Sequence, residues 1–407
     1  MVLENGSAAA NPPLTGQAMR TVSRPDGNWY RRPKVRKALA AAVVVGVLAV
    51  PATAAAITYA PVNQPGPKLS VPQSKLAAAL VCTGDLTGGP TPVLLVPGTG
   101  SSPPRNFGWN WEPALNKLGI PWCAVTLPDN ALGDIQVAGE YIVYAIRTMH
   151  AQAGRRISII GHSQGGMVPR WALRFWPGTR AMVDDQIGLA PSNHGTDSAQ
   201  FVCGNGCAPA VWQQAAGSNF IKALNSYQET FPGISYTEVY THNDEVVTPN
   251  SDDTGSSSLH GGGGQITNVA VQSLCPLDVN EHNGLGTVDN TAYALAIDAL
   301  MHAGPADPSR IDTTSVCTQP LMPGVNPLTF PADAAATLQD DLTNIATHPP
   351  SPAEPPLKCY VTASCAKCKA HKRKKHRKQA AVAAKHKKHH KKHRRCKRHK
   401  KKHHKRR

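Results

Sequence analysis

The chain has 407 residues, of which 41% are hydrophobic and 17% charged, enough for one large globular domain or two modest ones and far too long for a small disulfide scaffold. Its formal net charge is +17, yet residues 367–407 alone hold 23 Lys and Arg, nine His and no acid, so residues 1–366 carry 20 bases against 26 acids. The body is acidic, which excludes reading the overall basicity as the surface of a nucleic-acid-binding fold.

In chain order, Arg31, Arg32, Lys34, Arg36 and Lys37 precede an uncharged Ala- and Val-rich run from Ala38 to Val50, followed by Pro51-Ala52-Thr53-Ala54. A basic region, a short apolar core and small residues at a cleavage site are the layout of a secretory signal, so residues 1–54 are expected to be a leader. Met19 is an equally suitable start, and the composition of the leader is of a bacterial kind. The competing reading is an uncleaved anchor from Ala38 to about Tyr59. Pro51 interrupts that run, whose apolar core is shorter than the roughly 20 residues a spanning helix needs. Ten cysteines, an even number, fit disulfides in an exported chain.

A Pro-rich connector fills residues 55–66, and over residues 67–346 short apolar runs alternate with longer amphipathic ones. That alternation marks an α/β domain with a largely parallel sheet flanked by helices. Pro92–Pro97 and Ile157–Ile160 read as buried strands, with later strands at Gln186–Ala190, Thr237–Tyr240 and Thr267–Gln272. Ile135, Tyr141, Ile142, Ala145, Ile146 and Met149 recur at helical spacing between Asp134 and Ala153, and a further helix is expected at Ala292–His302. From His348 to Pro356 a Pro-rich segment is expected to end the fold. Residues 347–366 then form a Pro- and Cys-containing segment, and 367–407 a disordered Lys/His tail.

The chemistry is concentrated at Gly161-His162-Ser163-Gln164-Gly165, which follows a strand directly and precedes an apolar helical run through Val168, Trp171, Ala172 and Phe175. This is a nucleophile elbow in its strand-turn-helix context; the alternative is an ordinary Gly-rich turn with a solvated serine. A serine hydroxyl needs an imidazole to take its proton, and the imidazole needs a carboxylate to fix its tautomer. In this fold the order is Ser, then acid, then His, each after a strand. Asp244 and His282 satisfy order and topology, the latter in a loop; Glu245, Asp252 and Asp253 compete for the acid, and His242, His260 and His302 for the base. An oxyanion needs donors as well. Gln164 supplies the backbone N–H after the nucleophile, and Leu95-Val96-Pro97-Gly98-Thr99-Gly100 brings a Gly-rich loop with the Thr99 hydroxyl, unless that loop is only a tight turn.

These stretches, together with Asp134-Ile135-Gln136-Val137, Ser163-Gln164-Gly165-Gly166, Val211-Trp212-Gln213-Gln214, Asp244-Glu245, and His282 after Cys275, give the chain a close resemblance to the Candida antarctica lipase B-like family and its bacterial members over about residues 66–346. The resemblance implies a secreted serine esterase or lipase of the α/β-hydrolase fold that needs no metal or cofactor. It places the triad on Ser163, Asp244 and His282 and the oxyanion hole on Thr99 and Gln164. Disulfides are implied for Cys82 with Cys123 and for Cys275 with Cys317. Val211 and Gln214 would line the substrate pocket, and Ser198–Pro209 would take the position of a small lid. Two departures stand out: His162 occupies the pocket position where the yeast enzyme has a tryptophan, and Ser192 stands where it has an acid. Cys203-Gly-Asn-Gly-Cys207 could close a disulfide ring in the lid region or carry free thiols.

The expected activity is therefore hydrolysis of carboxylic esters through an acyl-enzyme, by a monomer that is secreted or held at the cell surface and acts on a lipid or ester substrate. Acyl transfer to envelope lipids or alcohols is the runner-up, and an anionic-surface-binding protein with a vestigial hydrolase core is the alternative from another class. The tail would hold the chain at an anionic surface or polyanion, or be solvated without a partner. Without aromatic platforms it is no sequence-specific nucleic-acid reader. Cys365, Cys368, His371 and His376 have zinc-ligand residue types but lack the spacer of a finger, so no metal is expected.

Overall fold

The computed structural model describes residues 57–364; the leader and the basic tail lie outside these described residues. Seven strands form one sheet: β1 (Leu80–Cys82), β2 (Val93–Val96), β3 (Trp122–Val125), β4 (Ile157–His162), β5 (Val183–Leu189), β6 (Ser235–Tyr240) and β7 (Gln265–Ala270), in spatial order β1-β3-β2-β4-β5-β6-β7. Only β1 pairs antiparallel, through Leu80 opposite Val125, and every other neighbour is parallel. β2 and β4 lie side by side near the centre, with Val96 opposite Gly161. The loops leaving their C-terminal ends therefore emerge together.

Period-2 alternation in fully buried strands feeds two cores. Leu94, Val96, Ile157 and Ile159 face the layer containing the helices Ile135–Ala153 and Gln164–Phe175. Val93, Leu95 and Ile160 face the other, which contains the helices Trp111–Lys117 and Asn290–Met301. Asp134 caps the first of these helices by accepting from the Gln136 N–H, and Gly154 closes it in the left-handed conformation. Disulfides join Cys82 to Cys123 across β1 and β3, Cys275 to Cys317, and Cys203 to Cys207.

Several boundaries differ from the sequence-based expectation. The strand expected at Thr267–Gln272 ends at Ala270, because Val271–Leu274 turns into a short helix. His282 does not sit in an open loop: it begins the helix His282–Thr287, whose first N–H groups are capped by the Glu281 carboxylate. The fold does not end at the Pro-rich segment. Beyond it, Tyr360 packs against Trp171, Phe175 and Trp176, Val361 is fully buried, and Ala60 donates to the Val361 carbonyl at 2.8 Å. The C-terminal segment and residues 57–66 thus close over the same core, aromatic burial outweighing the loop-like composition that hid it.

Candidate active site

β4 runs straight into Ser163, whose backbone sits at φ 57° and ψ −124°, and the helix Gln164–Phe175 begins at the next residue. A side-chain-bearing residue at positive φ is strained by about 1–3 kcal/mol and persists only where its surroundings fix it. Here the glycines do so. A Cβ on Gly161 would lie 2.0 Å from the Gly165 carbonyl oxygen, and one on Gly165 would lie 2.0 Å from the Val96 carbonyl oxygen. The turn is held by Ser163 N–H donating to Leu189 at 2.8 Å and Gly166 N–H donating to Ser163 at 3.0 Å. Ser163 is thereby presented at the N-terminus of a 12-residue helix, where the aligned peptide dipoles favour negative charge.

His282 and Asp244 come together after β7 and β6. The His282 Nδ1 and Asp244 Oδ2 are 3.0 Å apart, with the Asp244 side chain fully buried and that of His282 nearly so. Asp244 is held by the N–H groups of Val246 and Val247, at 3.0 and 2.7 Å to Oδ1. Burial pushes the His282 imidazole down, but the Asp244 charge and hydrogen bond, aided by Glu245 and Glu281, outweigh it and leave the pKa above the ordinary value. The histidine segment is fastened from behind, where the Thr241 hydroxyl donates to the Asn280 carbonyl at 2.8 Å.

On the other side of the serine, the Ser192 hydroxyl donates to Gln214 Oε1 at 3.0 Å and Gln214 Nε2 donates to Thr99 Oγ1 at 2.8 Å. Gln214 thus occupies an acceptor position of the Thr99 hydroxyl, which itself donates to Gln164 Oε1 at a long 3.4 Å. The Gln164 side chain turns inward to the Ala131 carbonyl at 3.0 Å, while its main-chain N–H is among the first of the helix, which have no intrahelical acceptor.

Ser163, His282, Thr99 and Gln214 border one cavity of about 290 Å³. Its apolar walls come from Val202, Val211, Val246, Leu338, Leu342 and Ile345. The helix Ser198–Val202 borders it, with Phe201 88% exposed, and the following turn is closed by the Cys203–Cys207 disulfide. Cys207 also exchanges two main-chain hydrogen bonds with Ser351, so this rim is tied to the C-terminal segment.

Of the site residues read from the sequence, Ser163, His282, Thr99, Val211, Gln214 and His162 border this cavity, while Asp244 and Gln164 reach it only through His282 and Thr99; among the competitors only Glu245 borders it, its Oε2 3.4 Å from the His282 N–H. Asp252, Asp253, His242, His260 and His302 are exposed elsewhere. His162 also borders the cavity, but it is nearly buried and both ring nitrogens are engaged by the protein, so it is not an open pocket wall. Sequence reasoning missed the helix Phe330–Thr347, which supplies Leu338, Asp341, Leu342 and Ile345. Its signal was legible, since Leu338, Leu342 and Ile345 stand at i, i+4 and i+7.

Comparison with known proteins identifies the family. The class 2 lipase family model matches residues 142–285. Lipase B of Pseudozyma antarctica is 33% identical over 333 residues, covering 80% of this chain and 95% of that protein. The crystal structure of Aspergillus fumigatus lipase B superposes with a TM-score of 0.69 at 30% identity, covering 73% of this chain and 74% of that one. With the parallel sheet, the serine turn and this degree of likeness together, the chain belongs to the lipase B family of α/β-hydrolases and is a lipase or esterase acting on lipid or ester substrates.

Proposed function

We propose that the chain is a secreted serine hydrolase that cleaves carboxylic esters through an acyl-enzyme on Ser163. The observation that carries this reading is Ser163, held at φ 57° on a helix N-terminus and bordering the same cavity as a buried imidazole whose Nδ1 lies 3.0 Å from a buried carboxylate. His282 takes the Ser163 proton as the hydroxyl attacks the ester carbonyl, then returns it to the leaving alcohol. Asp244 keeps the Nδ1–H tautomer and stabilises the imidazolium without accepting its proton. The tetrahedral oxyanion is met by the Gln164 main-chain N–H and by Thr99, whose hydroxyl is oriented by Gln214. Loss of one such donor typically costs on the order of 10²–10³ in kcat. Water, activated by the same histidine, then releases the acid.

The apolar cavity walls support an aliphatic acyl or alcohol group as the bound part of the ester. Export is supported by the leader composition and by disulfides, which persist in oxidising compartments. The tail, with 23 Lys and Arg and no acid, would retain the enzyme at an anionic surface while the catalytic body acts as a monomer. The direct test is labelling with a fluorophosphonate followed by peptide mass spectrometry. Modification of Ser163 alone, lost in Ser163→Ala, is expected; an unlabelled folded protein would overturn the assignment.

A further inference from the structure

His162 lies one residue before the nucleophile and its ring centroid is 5.0 Å from that of His282. Its Nε2 is 3.1 Å from the His282 carbonyl oxygen. A carbonyl can only accept, so Nε2 carries the proton and Nδ1 is the acceptor. Asn106 completes this assignment: its Nδ2 donates to His162 Nδ1 at 3.2 Å while its Oδ1 accepts from the Gly98 N–H at 2.9 Å. Asn106 Oδ1 also lies 3.3 Å from His162 Nδ1, but it accepts from the Gly98 N–H at 2.9 Å, which leaves the amide nitrogen as the donor to the ring. Burial, reinforced by the neighbouring His282, drives the His162 pKa down to about 3, which agrees with the neutral tautomer that its two partners assign. Space is reserved for it, because a Cβ on Gly286, in the helix that begins at His282, would lie 2.2 Å from the His162 ring.

We propose that Asn106 and His162 form a positioning relay that locks the Gly98–Ser101 loop, the nucleophile turn and the main chain of His282 into one unit. His162 acts through His282 and not on the substrate. The inference rests on the triad reading given above, because what the relay positions is the base and the oxyanion loop of that triad. It also explains why an imidazole at a cavity border is turned away from solvent. The serine at the turn is fixed by its own backbone, whereas the histidine arrives from a segment more than a hundred residues later and needs a tie across the site.

The test is a double-mutant cycle of His162→Phe and Asn106→Leu, with His162→Gln as the variant that can still donate to the His282 carbonyl. Turnover of p-nitrophenyl butyrate is expressed per site titrated with a phosphonate, which reports Ser163 separately and so distinguishes failure of the relay from failure of the triad reading. His162→Phe is expected to lose about 10- to 100-fold in kcat with KM little changed, in line with the cost of roughly 1 Å of misplacement. His162→Gln should recover part of the loss, and the double variant should be no slower than the slower single one, because residues acting as a unit are not additive. If His162→Phe does not fold, Asn106→Leu and His162→Gln carry the same comparison, the former being the slower. Turnover per titrated site within twofold of wild type in Asn106→Leu or His162→Phe, or losses that multiply in the double variant, would overturn the relay.

Discussion

Asp244 and Glu245 are adjacent carboxylates, and only their surroundings distinguish them. Asp244 is buried and receives two main-chain N–H groups besides the imidazole, whereas Glu245 is exposed and meets His282 only through a 3.4 Å contact to its N–H. Asp244→Asn should therefore lower kcat by about 10⁴, as loss of the tautomer-fixing acid does in other serine triads. Glu245→Gln should leave kcat within a few-fold. Steady-state kinetics on a soluble ester checks both, and a large loss only at Glu245 would reverse the assignment. The same geometry sets the pH dependence. His282 must be neutral to act as a base, and its pKa is raised, so kcat/KM should fall as pH drops through a value above the ordinary histidine pKa of about 6.5. In Asp244→Asn the supporting charge is gone and that acid limb should move to lower pH. A limb that stays in place would remove Asp244 as its cause.

At the scale of elements, the serine turn depends on missing side chains. Gly161→Ala places a Cβ 2.0 Å from a main-chain oxygen, whereas Gly178→Ala meets nothing within 4 Å. The first should destabilise by at least about 3 kcal/mol or prevent folding, the second should be nearly silent, and urea melts distinguish them. The Cys275–Cys317 disulfide closes a separation of 42 residues around the histidine segment. Replacing both cysteines with serine should cost up to about 4 kcal/mol on the loop-entropy model, read as a lower denaturation midpoint. The elbow was legible in the sequence because its glycines, its strand and its helix are contiguous. Asp244 and His282 were legible as the favoured pair because topology orders them and the family resemblance selects the same two, whereas the burial and the Val246 and Val247 donors that separate Asp244 from Glu245 are tertiary facts. Asn106 carried no pattern at all. The helix Phe330–Thr347 showed periodicity, but its Ala, Asp and Thr content gave little apolar contrast. The tie of Tyr360 to Trp171 was hidden because a Pro-rich stretch separates that residue from the catalytic domain in sequence.

For the whole molecule, composition divides the labour. Residues 38–366 carry 13 bases and 24 acids, and residues 367–407 carry 23 bases and no acid. An acidic catalytic body with a basic tail should bind heparin or anionic vesicles through the tail alone, weakening as salt shortens the Debye length from about 10 Å at 0.1 M. Replacing the Lys and Arg residues of 369–407 with Gln, or truncating after Cys368, should abolish that binding and leave hydrolysis of a soluble ester unchanged. Retained binding in the truncated protein would assign it to the body instead.

Ester hydrolysis by Ser163 is read out by turnover of p-nitrophenyl esters of graded chain length by the purified oxidised protein beside Ser163→Ala. The wild type is expected to turn over these esters, with a chain-length optimum set by the apolar cavity, while Ser163→Ala falls by several orders of magnitude yet melts at a similar temperature. A folded wild type without activity on any chain length, or a Ser163→Ala variant that keeps the wild-type rate, would rule out Ser163 as the nucleophile of an ester hydrolase.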